Sequence, residues 1–403
     1  MGIFYRRYLD SAKLKGFDSY RYACVDTSPI AVYISHPFWN WFVQFYPLWL
    51  APNVLTFVGF AFVMGCYFLV SYLDPFLDAN SVSSLEDQWL PNWIWLLCSV
   101  CTFLGHLLDG TDGKQARRTG ASGPTGELFD HGLDSWSTVP FTLTIFSIFG
   151  RGEFSVSPVR LLGILISVQM VFIATHWEKY NTGILYLSWG YDASQYGLVI
   201  FYLLTYFIGH RWFQFYVNNY FFVICVLSLI VSIYNIMHCY FTSKSGKQSS
   251  LYEALLPLLP PILLFTTSLY WALYSPTSII DKAPRIFFWS MGVVFSNIAV
   301  HLIINQMSNT RVEPFNGLLF LYVLIAVSAV QGYFGEYELL ILQYLALLLT
   351  AGHIHYGICV VQQLCSHFKI YAFSLDYLKH KRRDGPKVYE LPSGFQNHVL
   401  QTV

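Results

Sequence analysis

The chain has 403 residues, of which 55% are hydrophobic and only 11% are charged. A soluble globular domain usually carries about a quarter charged residues, so this composition excludes an ordinary soluble protein and indicates a chain that lies largely in lipid. The formal net charge is zero, which argues against a nucleic-acid-binding protein because no overall positive charge would attract a phosphate backbone.

The first fifty residues are predicted to form a cytosolic and interfacial N-terminal segment. Residues 1–20 carry charges throughout and lack the apolar core of a cleavable signal peptide. Residues 37–50 are rich in Trp, Phe and Pro, which is typical of a helix in the lipid headgroup layer rather than of a membrane span. Insertion therefore depends on internal spans.

Apolar stretches along the rest of the chain predict an all-α, polytopic membrane protein with about ten transmembrane helices. The hydrocarbon core of a bilayer needs roughly twenty apolar residues per helix, and only a helix satisfies every backbone group of such a segment. The predicted spans cover about 52–73, 93–108, 128–149, 159–175, 196–208, 220–237, 255–274, 286–307, 314–334 and 339–361.

Loop charge predicts the orientation of these spans. An even number of spans places both termini on one side, and most of the 23 Lys and Arg residues fall on that side. The exceptions are Arg151, Arg160, Arg211, Lys282 and Arg285. Because cytosolic loops carry the excess of Lys and Arg, both termini and the loop between the second and third spans are expected to face the cytosol.

Four aspartates around that loop are the strongest candidates for chemistry. Asp109 and Asp112 are three residues apart and Asp130 and Asp134 are four apart, so each pair lies on one helix face. Four close carboxylates repel one another and require cations, and hard oxygen ligands favour Mg²⁺, with two ions suiting the count and a displaced phosphate. The alternative is a set of solvated aspartates at helix ends, which two facing pairs at membrane depth disfavour.

Small and basic residues accompany the aspartates. Gly113, Ala116 and Gly126 leave room for substrate or backbone to approach closely. Arg117 is the favoured cationic ligand contact because a planar guanidinium matches a diphosphate. Arg118 is better explained by the excess of positive charge on cytosolic loops than by contact with a ligand.

Eight residues at fixed spacing resemble the signature of the CDP-alcohol phosphotransferase family. They read Asp109-x2-Asp112-Gly113-x2-Ala116-Arg117-x8-Gly126-x3-Asp130-x3-Asp134. The resemblance implies a six-helix catalytic core, a CDP-linked substrate bound by Arg117, and two divalent ions, Mg²⁺ or Mn²⁺. It also implies that Asp109 and Asp130 bridge the two metals, while Asp112 binds one metal and Asp134 the other.

The family resemblance implies further roles outside the aspartates. His131 matches the proton-accepting histidine of choline and ethanolamine phosphotransferases, and a base is needed because a neutral lipid hydroxyl must lose its proton on attack. Asn53, in WLAPN, matches a CDP-alcohol contact, with an interfacial helix cap as the alternative. Glu127 is a candidate contact of the cytidine or of the metal ligands.

Residues 175–195 and 352–375 resemble the ethanolaminephosphotransferase branch of the family more than the cholinephosphotransferase branch. The branch implies transfer of phosphoethanolamine from CDP-ethanolamine to diacylglycerol or alkyl-acylglycerol, giving phosphatidylethanolamine and CMP in the endoplasmic reticulum or Golgi, the last step of the CDP-ethanolamine pathway. A carboxylate such as Glu178 could select ethanolamine, because a primary ammonium donates hydrogen bonds and a quaternary one does not. A second copy of the chain, in a homodimer, is a further candidate partner.

The resemblance divides the chain into a catalytic core at 51–238, an additional four-helix membrane region at 239–365 and a cytosolic tail at 366–403. A cholinephosphotransferase or a dual-specificity enzyme would keep the same site. An enzyme that uses CDP-diacylglycerol shares the signature, but the resemblance outside the signature counts against it. The alternative from another class is a divalent-cation transporter, since aspartates at membrane depth also mark ion paths.

Overall fold

The architecture comes from a computed structural model that describes residues 5–81, 90–150, 156–187, 189–213 and 220–381, without the side chains of 220–228 and 379–381. The predicted cytosolic tail lies outside the described residues from 382 onward. Within them the chain is almost entirely helical, as the sequence predicts.

The described residues form α-helices joined mostly by short turns. They are α1 (Ser11–Asp18), α2 (His36–Phe42), α3 (Pro52–Leu73), α4 (Trp93–Thr119), α5 (Pro124–Phe149), α6 (Pro158–Thr182), α7 (Gly190–Ile208), α8 (Tyr220–Phe241), α9 (Leu251–Leu255), α10 (Leu259–Tyr274), α11 (Ile279–Lys282), α12 (Pro284–Ser308), α13 (Gly317–Val330), α14 (Glu338–Phe368) and α15 (Asp376–Lys381). Two short strands, β1 (Cys24–Val25) and β2 (Leu185–Tyr186), pair in parallel and tie the N-terminal segment to the turn after α6.

Six helical stretches among the described residues are long and apolar enough to cross a membrane. They are Pro52–Leu73, Trp93–Thr119, Pro158–Thr182, Leu251–Tyr274, Pro284–Ser308 and Gly335–Phe368. Shorter apolar helices at Leu229–Phe241 and Gly317–Val330 fall on further predicted spans. The prediction of an all-α, multi-pass membrane protein is confirmed, whereas the count of ten spans stays a prediction.

Helices α4 and α5 extend well beyond the apolar spans predicted for them. Hydropathy falls at the first aspartate, after residue 108, but α4 continues to Thr119 and α5 begins at Pro124 rather than at residue 128. Gly120 ends α4 with a φ of 77°, a left-handed conformation that favours glycine, and the fixed φ of Pro124 suits the start of a helix. All four aspartates therefore stand on helices.

Helix α3 packs against both α4 and α5 and so holds the two aspartate-bearing helices in one unit. Its approach to α4 is close: a Cβ atom on Gly59 would lie 3.1 Å from the carbonyl oxygen of Gly105. This close contact places the polar residues at the start of α3 beside the aspartates.

Helix α12 is the centre of the bundle. It packs against α5, α6, α10, α13 and α14, and the side chains of Phe287, Met291 and Phe295 on it are completely buried. A Cβ atom on Gly292 would overlap the side chain of Val139 on α5, so this side chain packs directly against the backbone of α12. The predicted catalytic core and the additional membrane region thus share one hydrophobic core, although the boundary at residue 238 stays a prediction.

The aromatic segment before α3 is helical. A π-helical turn at Ala31–Ser35, α2 and a 3₁₀ turn at Val43–Phe45 follow one another, and Trp41, Phe45 and Trp49 point outward. Exposed tryptophan and phenylalanine are typical of the headgroup layer. The interfacial location of this segment stays a prediction that the arrangement supports.

The two ends of the described chain meet. The side-chain oxygen of Gln363, on α14, accepts hydrogen bonds from the backbone N–H groups of Tyr8 and Leu9 at 3.0 and 2.9 Å. Its amide nitrogen donates to the carbonyl oxygen of Arg6 at 3.0 Å. The N-terminal segment is therefore anchored to the last long helix before it runs across the polar end of the bundle.

Candidate active site

The structure brings together the four aspartates that the sequence singles out. Carboxylate oxygens of Asp109, Asp112 and Asp130 lie within 4.8 Å of one another, and so do ligand atoms of Asp130, His131 and Asp134. Asp109 and Asp134 also line one small cavity. Two helices thus present a continuous group of hard oxygen ligands.

Hydroxyl groups from neighbouring helices orient two of the carboxylates. Thr56, on α3, donates a short hydrogen bond to Asp112, and Tyr191, on α7, donates to Asp109 at 2.8 Å. Sequence reasoning missed both donors, because a lone threonine or tyrosine carries no signal of its own. They leave the remaining carboxylate oxygens for other ligands.

The arrangement of the carboxylates fits divalent cations. Asp130 Oδ1 is buried and has no hydrogen-bond partner among the described residues. A buried carboxylate without a partner is strongly unfavourable, and crowding four carboxylates makes it more so. Oxygen ligands at this spacing are the set that Mg²⁺ or Mn²⁺ prefers, so the orphaned atom and the donor chemistry both indicate a metal centre.

His131 lies directly beside the carboxylates. Its Nδ1 atom is 4.0 Å from an oxygen of Asp134. The ring meets the edge of His176, on α6, with centroids 5.4 Å apart. The ring of Tyr22 lies beside it, tilted, with centroids 6.5 Å apart. Packing thus fixes the imidazole next to the aspartates, and His176 is a neighbour that sequence reasoning missed.

Glu127 occupies a buried ion pair one turn before Asp130. Its Oε1 atom accepts hydrogen bonds from Lys179 Nζ and from the hydroxyl group of Tyr20, both at 2.6 Å. The Lys179 ammonium group also lies over the ring of Tyr22, 5.0 Å from its centre. Glu127 therefore joins α5, α6 and the N-terminal segment, and its predicted contact with a ligand would use its second oxygen.

The predicted nucleotide contacts surround the start of α3 and the last turns of α4. Asn53 is buried, and its side-chain oxygen lies 3.5 Å from the position of a Cβ on Gly126. Arg117 is exposed on the last turn of α4, and its guanidinium lies 3.9 Å from the position of a Cβ on Gly113. Together with the half-buried Ala116, these residues leave the backbone accessible beside the aspartates.

Arg118 and Gln115 hold the interfacial segment onto α4. Arg118 donates to the backbone carbonyl oxygens of Val43 and Tyr46 at 3.1 and 2.6 Å. Gln115 donates to the carbonyl oxygens of Pro47 and Leu50 at 3.0 and 3.1 Å. Arg118 thus has a structural role in addition to the topological one that the sequence indicates.

The structure places Glu178 away from the aspartates. Its carboxylate accepts a hydrogen bond of 2.8 Å from Asn235 on α8, whereas His176 and Lys179 on the same helix turn contact residues around His131. A role for Glu178 in choosing the headgroup stays a prediction, and the described contacts do not support it.

A second group of polar side chains, formed by Ser35, His106 and Asp192, lies close to Asp109. Ser35 donates to Asp192 at 2.9 Å, and His106 Nε2 is 3.4 Å from the same carboxylate. His106 lies one turn before Asp109 and meets the edge of Trp39. The N-terminal segment and α7 therefore border the site. In the sequence these polar residues are far apart, and nothing there indicates that they meet.

Comparison with known proteins agrees with the motif. The sequence model of the CDP-alcohol phosphatidyltransferase family matches residues 49–234, which include all four aspartates. Ethanolaminephosphotransferase 1 of Homo sapiens is 44% identical over 91% of this chain and 94% of its own length, and that of Mus musculus is 42% identical over the same shares. Cholinephosphotransferase 1 of Danio rerio is 27% identical over 93% of this chain and 98% of its own length. The chain belongs to the CDP-alcohol phosphotransferase family.

Proposed function

We propose that this membrane enzyme transfers phosphoethanolamine from CDP-ethanolamine to the free hydroxyl of diacylglycerol or alkyl-acylglycerol. The products are phosphatidylethanolamine and CMP. The observation that carries the proposal is the convergence of Asp109, Asp112 and Asp130 with the His131 and Asp134 pair at one end of the bundle. The higher identity to ethanolaminephosphotransferases than to cholinephosphotransferase 1 favours ethanolamine as the headgroup.

The four aspartates would hold two Mg²⁺ or Mn²⁺ ions. When bound, these ions would neutralise the diphosphate and stabilise the negative charge that develops on departing CMP. Thr56 and Tyr191 keep Asp112 and Asp109 turned toward the centre by donating hydrogen bonds to them.

His131 is the proposed general base. As the hydroxyl oxygen of diacylglycerol forms a bond to the β-phosphorus, the phosphoanhydride bond to CMP breaks, and the hydroxyl proton passes to the imidazole of His131. The nearby carboxylate of Asp134, 4.0 Å from Nδ1, stabilises the imidazolium that results.

The remaining site residues would bind the nucleotide. The exposed guanidinium of Arg117 would contact the diphosphate, and Asn53 and Glu127 would contact the rest of CDP. Gly113, Ala116 and Gly126 would allow the nucleotide to lie close to the helix backbones.

We further propose that both termini and the site face the cytosol of the endoplasmic reticulum or Golgi membrane, so that CDP-ethanolamine enters from water and diacylglycerol from the bilayer. Residues 51–238 would form the catalytic core, and residues 239–365 an additional membrane region that supports it through α12. A homodimer is part of this proposal.

The test is CMP release by the purified full chain in lipid nanodiscs, with CDP-ethanolamine and CDP-choline supplied separately and in competition. We expect metal-dependent release with diacylglycerol and a preference for CDP-ethanolamine. Preference for CDP-choline would make the chain a cholinephosphotransferase. Metal flux into proteoliposomes without CMP release would instead indicate a cation transporter.

A further inference from the structure

A second polar cavity lies at the same end of the bundle, between α6, the turn before α9 and the end of α12. It has a volume of about 190 Å³. Its floor is buried and its rim is charged. The floor includes Tyr180, Asn305 and Gln306, and the rim includes Lys247, Glu253 and Arg311.

The rim carries both signs of charge within one small volume. Lys247 and Arg311 form no ion pair with a carboxylate among the described residues. Lys247 is held in place because its side chain crosses Gly183 and its backbone N–H donates to Asn181 at 2.9 Å. Arg311 packs over the ring of Tyr252 at 5.6 Å, and Glu253 accepts a hydrogen bond from Ser249. Two positioned cations suit a phosphate, and the carboxylate suits an ammonium group.

The floor contains a polar atom that needs a partner. Gln306 is 5% exposed, and its amide oxygen has no hydrogen-bond partner in the described part of the chain. Its amide nitrogen is engaged with His176 Nδ1 at 3.1 Å. Buried polar atoms are nearly always paired, so this oxygen calls for a ligand that donates hydrogen bonds.

The same glutamine connects the cavity to the active site. Gln306 contacts His176, and the His176 ring meets the edge of His131. The headgroup of the lipid product, which the proposed reaction forms beside His131, therefore lies near a second polar site along α6.

We propose that this cavity is a second headgroup site, which binds a phosphate ester that also carries a primary ammonium group. Lys247 and Arg311 hold the phosphate, while Glu253 and the Gln306 oxygen accept hydrogen bonds from the ammonium. This assignment rests on the proposed function, because that function makes phosphoethanolamine the headgroup available at this end of the bundle. The ligand of this cavity is either the headgroup of a lipid or free phosphoethanolamine.

The test measures binding to the purified full chain in detergent by calorimetry, with EDTA present so that the aspartates hold no metal. Phosphoethanolamine is expected to bind saturably. Lys247→Gln and Arg311→Gln should each raise its Kd about tenfold or more, the usual effect of losing a charged hydrogen bond. Lys244→Gln, in the same turn but outside the cavity, is the matched control and should leave the Kd unchanged.

The Glu253→Gln variant tests the contact with the ammonium group independently of the contacts with the phosphate. It should weaken binding of phosphoethanolamine but not of inorganic phosphate, which carries no ammonium. Glycerophosphoethanolamine distinguishes the sources, since tighter binding of this diester indicates a lipid headgroup and tighter binding of the monoester indicates free phosphoethanolamine.

Absence of saturable binding to the unaltered chain would overturn the proposal, as would equal Kd values for Lys247→Gln, Arg311→Gln and the unaltered chain. Loss of binding in Asp130→Asn would assign the ligand to the active site instead. Metal-dependent CMP release by the Lys247, Arg311, Glu253 and Lys244 variants shows that these variants fold. Folding of Asp130→Asn is checked by its thermal unfolding transition, because this substitution alters the proposed metal centre itself. A failure of that reaction in the unaltered chain would contradict the proposed function without affecting the metal-free binding result.

Discussion

At the scale of single residues, the site combines groups that are fixed by local spacing with groups that only the fold brings near. Asp130 and Asp134 follow from helical periodicity, and their positions are as the sequence predicts. The hydroxyl of Tyr191 and the ammonium of Lys179 come from other helices, and nothing in their own surroundings marks them. A single sequence therefore indicates the candidate ligands more readily than the residues that orient them.

The proposed base predicts a specific kinetic loss. His131→Ala should lower kcat for CMP release by about 10²- to 10⁴-fold, the usual contribution of general base catalysis, with little change in KM for CDP-ethanolamine. His238→Ala, an exposed histidine at the end of α8, serves as the control. Steady-state assays check the prediction, and full activity in His131→Ala would remove His131 from the role of base.

The orphaned oxygen of Asp130 predicts an effect on metal binding. Asp130→Asn should remove the increase in Tm that Mg²⁺ or Mn²⁺ gives the unaltered protein, because a ligand stabilises only the state that binds it. Without metal, the variant should be at least as stable as the parent, since one carboxylate fewer reduces repulsion. Thermal unfolding with and without metal tests both points, with the exposed Asp281→Asn as control. A metal-dependent Tm increase equal to that of the parent would contradict the assignment.

At the scale of elements, the site depends on how closely α2, α4, α5 and α6 approach one another. Sequence reasoning placed each of these helices but ended the second span at residue 108, because hydropathy does not detect a helix that continues through charged residues. The approach distances are set by small residues and ion pairs whose partners lie far apart in the sequence.

The contact between α2 and α4 predicts a steric effect. A Cβ atom on Gly110 would overlap the indole ring of Trp39, so Gly110→Ala should displace α2 and shift the adjacent Asp109. We expect CMP release to fall about tenfold or more, as small misplacements of site residues commonly cause. Gly65→Ala, where a Cβ meets nothing within 4 Å, is the matched control in α3. Equal rates for the two variants would contradict this account.

The ion pair between Glu127 and Lys179, which joins α5 to α6, predicts that substitutions of these two residues have non-additive effects on the free energy of unfolding. Lys179→Met should destabilise the fold by about 3–5 kcal/mol, because it leaves a buried carboxylate unpaired. Adding Glu127→Gln should restore much of that loss, since the charge itself is then gone. Unfolding of the two single variants and the double variant in denaturant gives the coupling free energy. If the double variant lost a free energy of unfolding equal to the sum of the losses in the two single variants, the residues would not interact.

At the scale of the whole molecule, the membrane class, the all-α architecture and the family follow from composition and one motif. The central position of α12 does not, because apolar residues occur on every face of this helix and so do not indicate which face packs against which neighbour. The sequence could therefore predict that these helices exist but not that the additional region would form the centre of the bundle.

The proposed orientation predicts which loops can be glycosylated. An Asn-x-Thr acceptor site inserted in the turn at Ser275–Ser278, between the seventh and eighth predicted spans, should be modified in the endoplasmic reticulum. An acceptor site appended after Val403 should not, because cytosolic residues do not meet the modifying enzyme. Gel mobility before and after deglycosylation checks both, and modification of the appended site would reverse the assigned topology.

The hydrogen bonds between Gln363 and the backbone of Arg6, Tyr8 and Leu9 have a consequence for biosynthesis. Tyr22, which lies beside His131, and Tyr20, which donates to Glu127, are synthesised early, but their anchor on α14 follows only after the other long helices of the described bundle. A nascent chain still on the ribosome therefore carries all four aspartates and His131 without the finished wall around them. We therefore expect that a chain truncated before α14 lacks transfer activity even though it contains all four aspartates and His131.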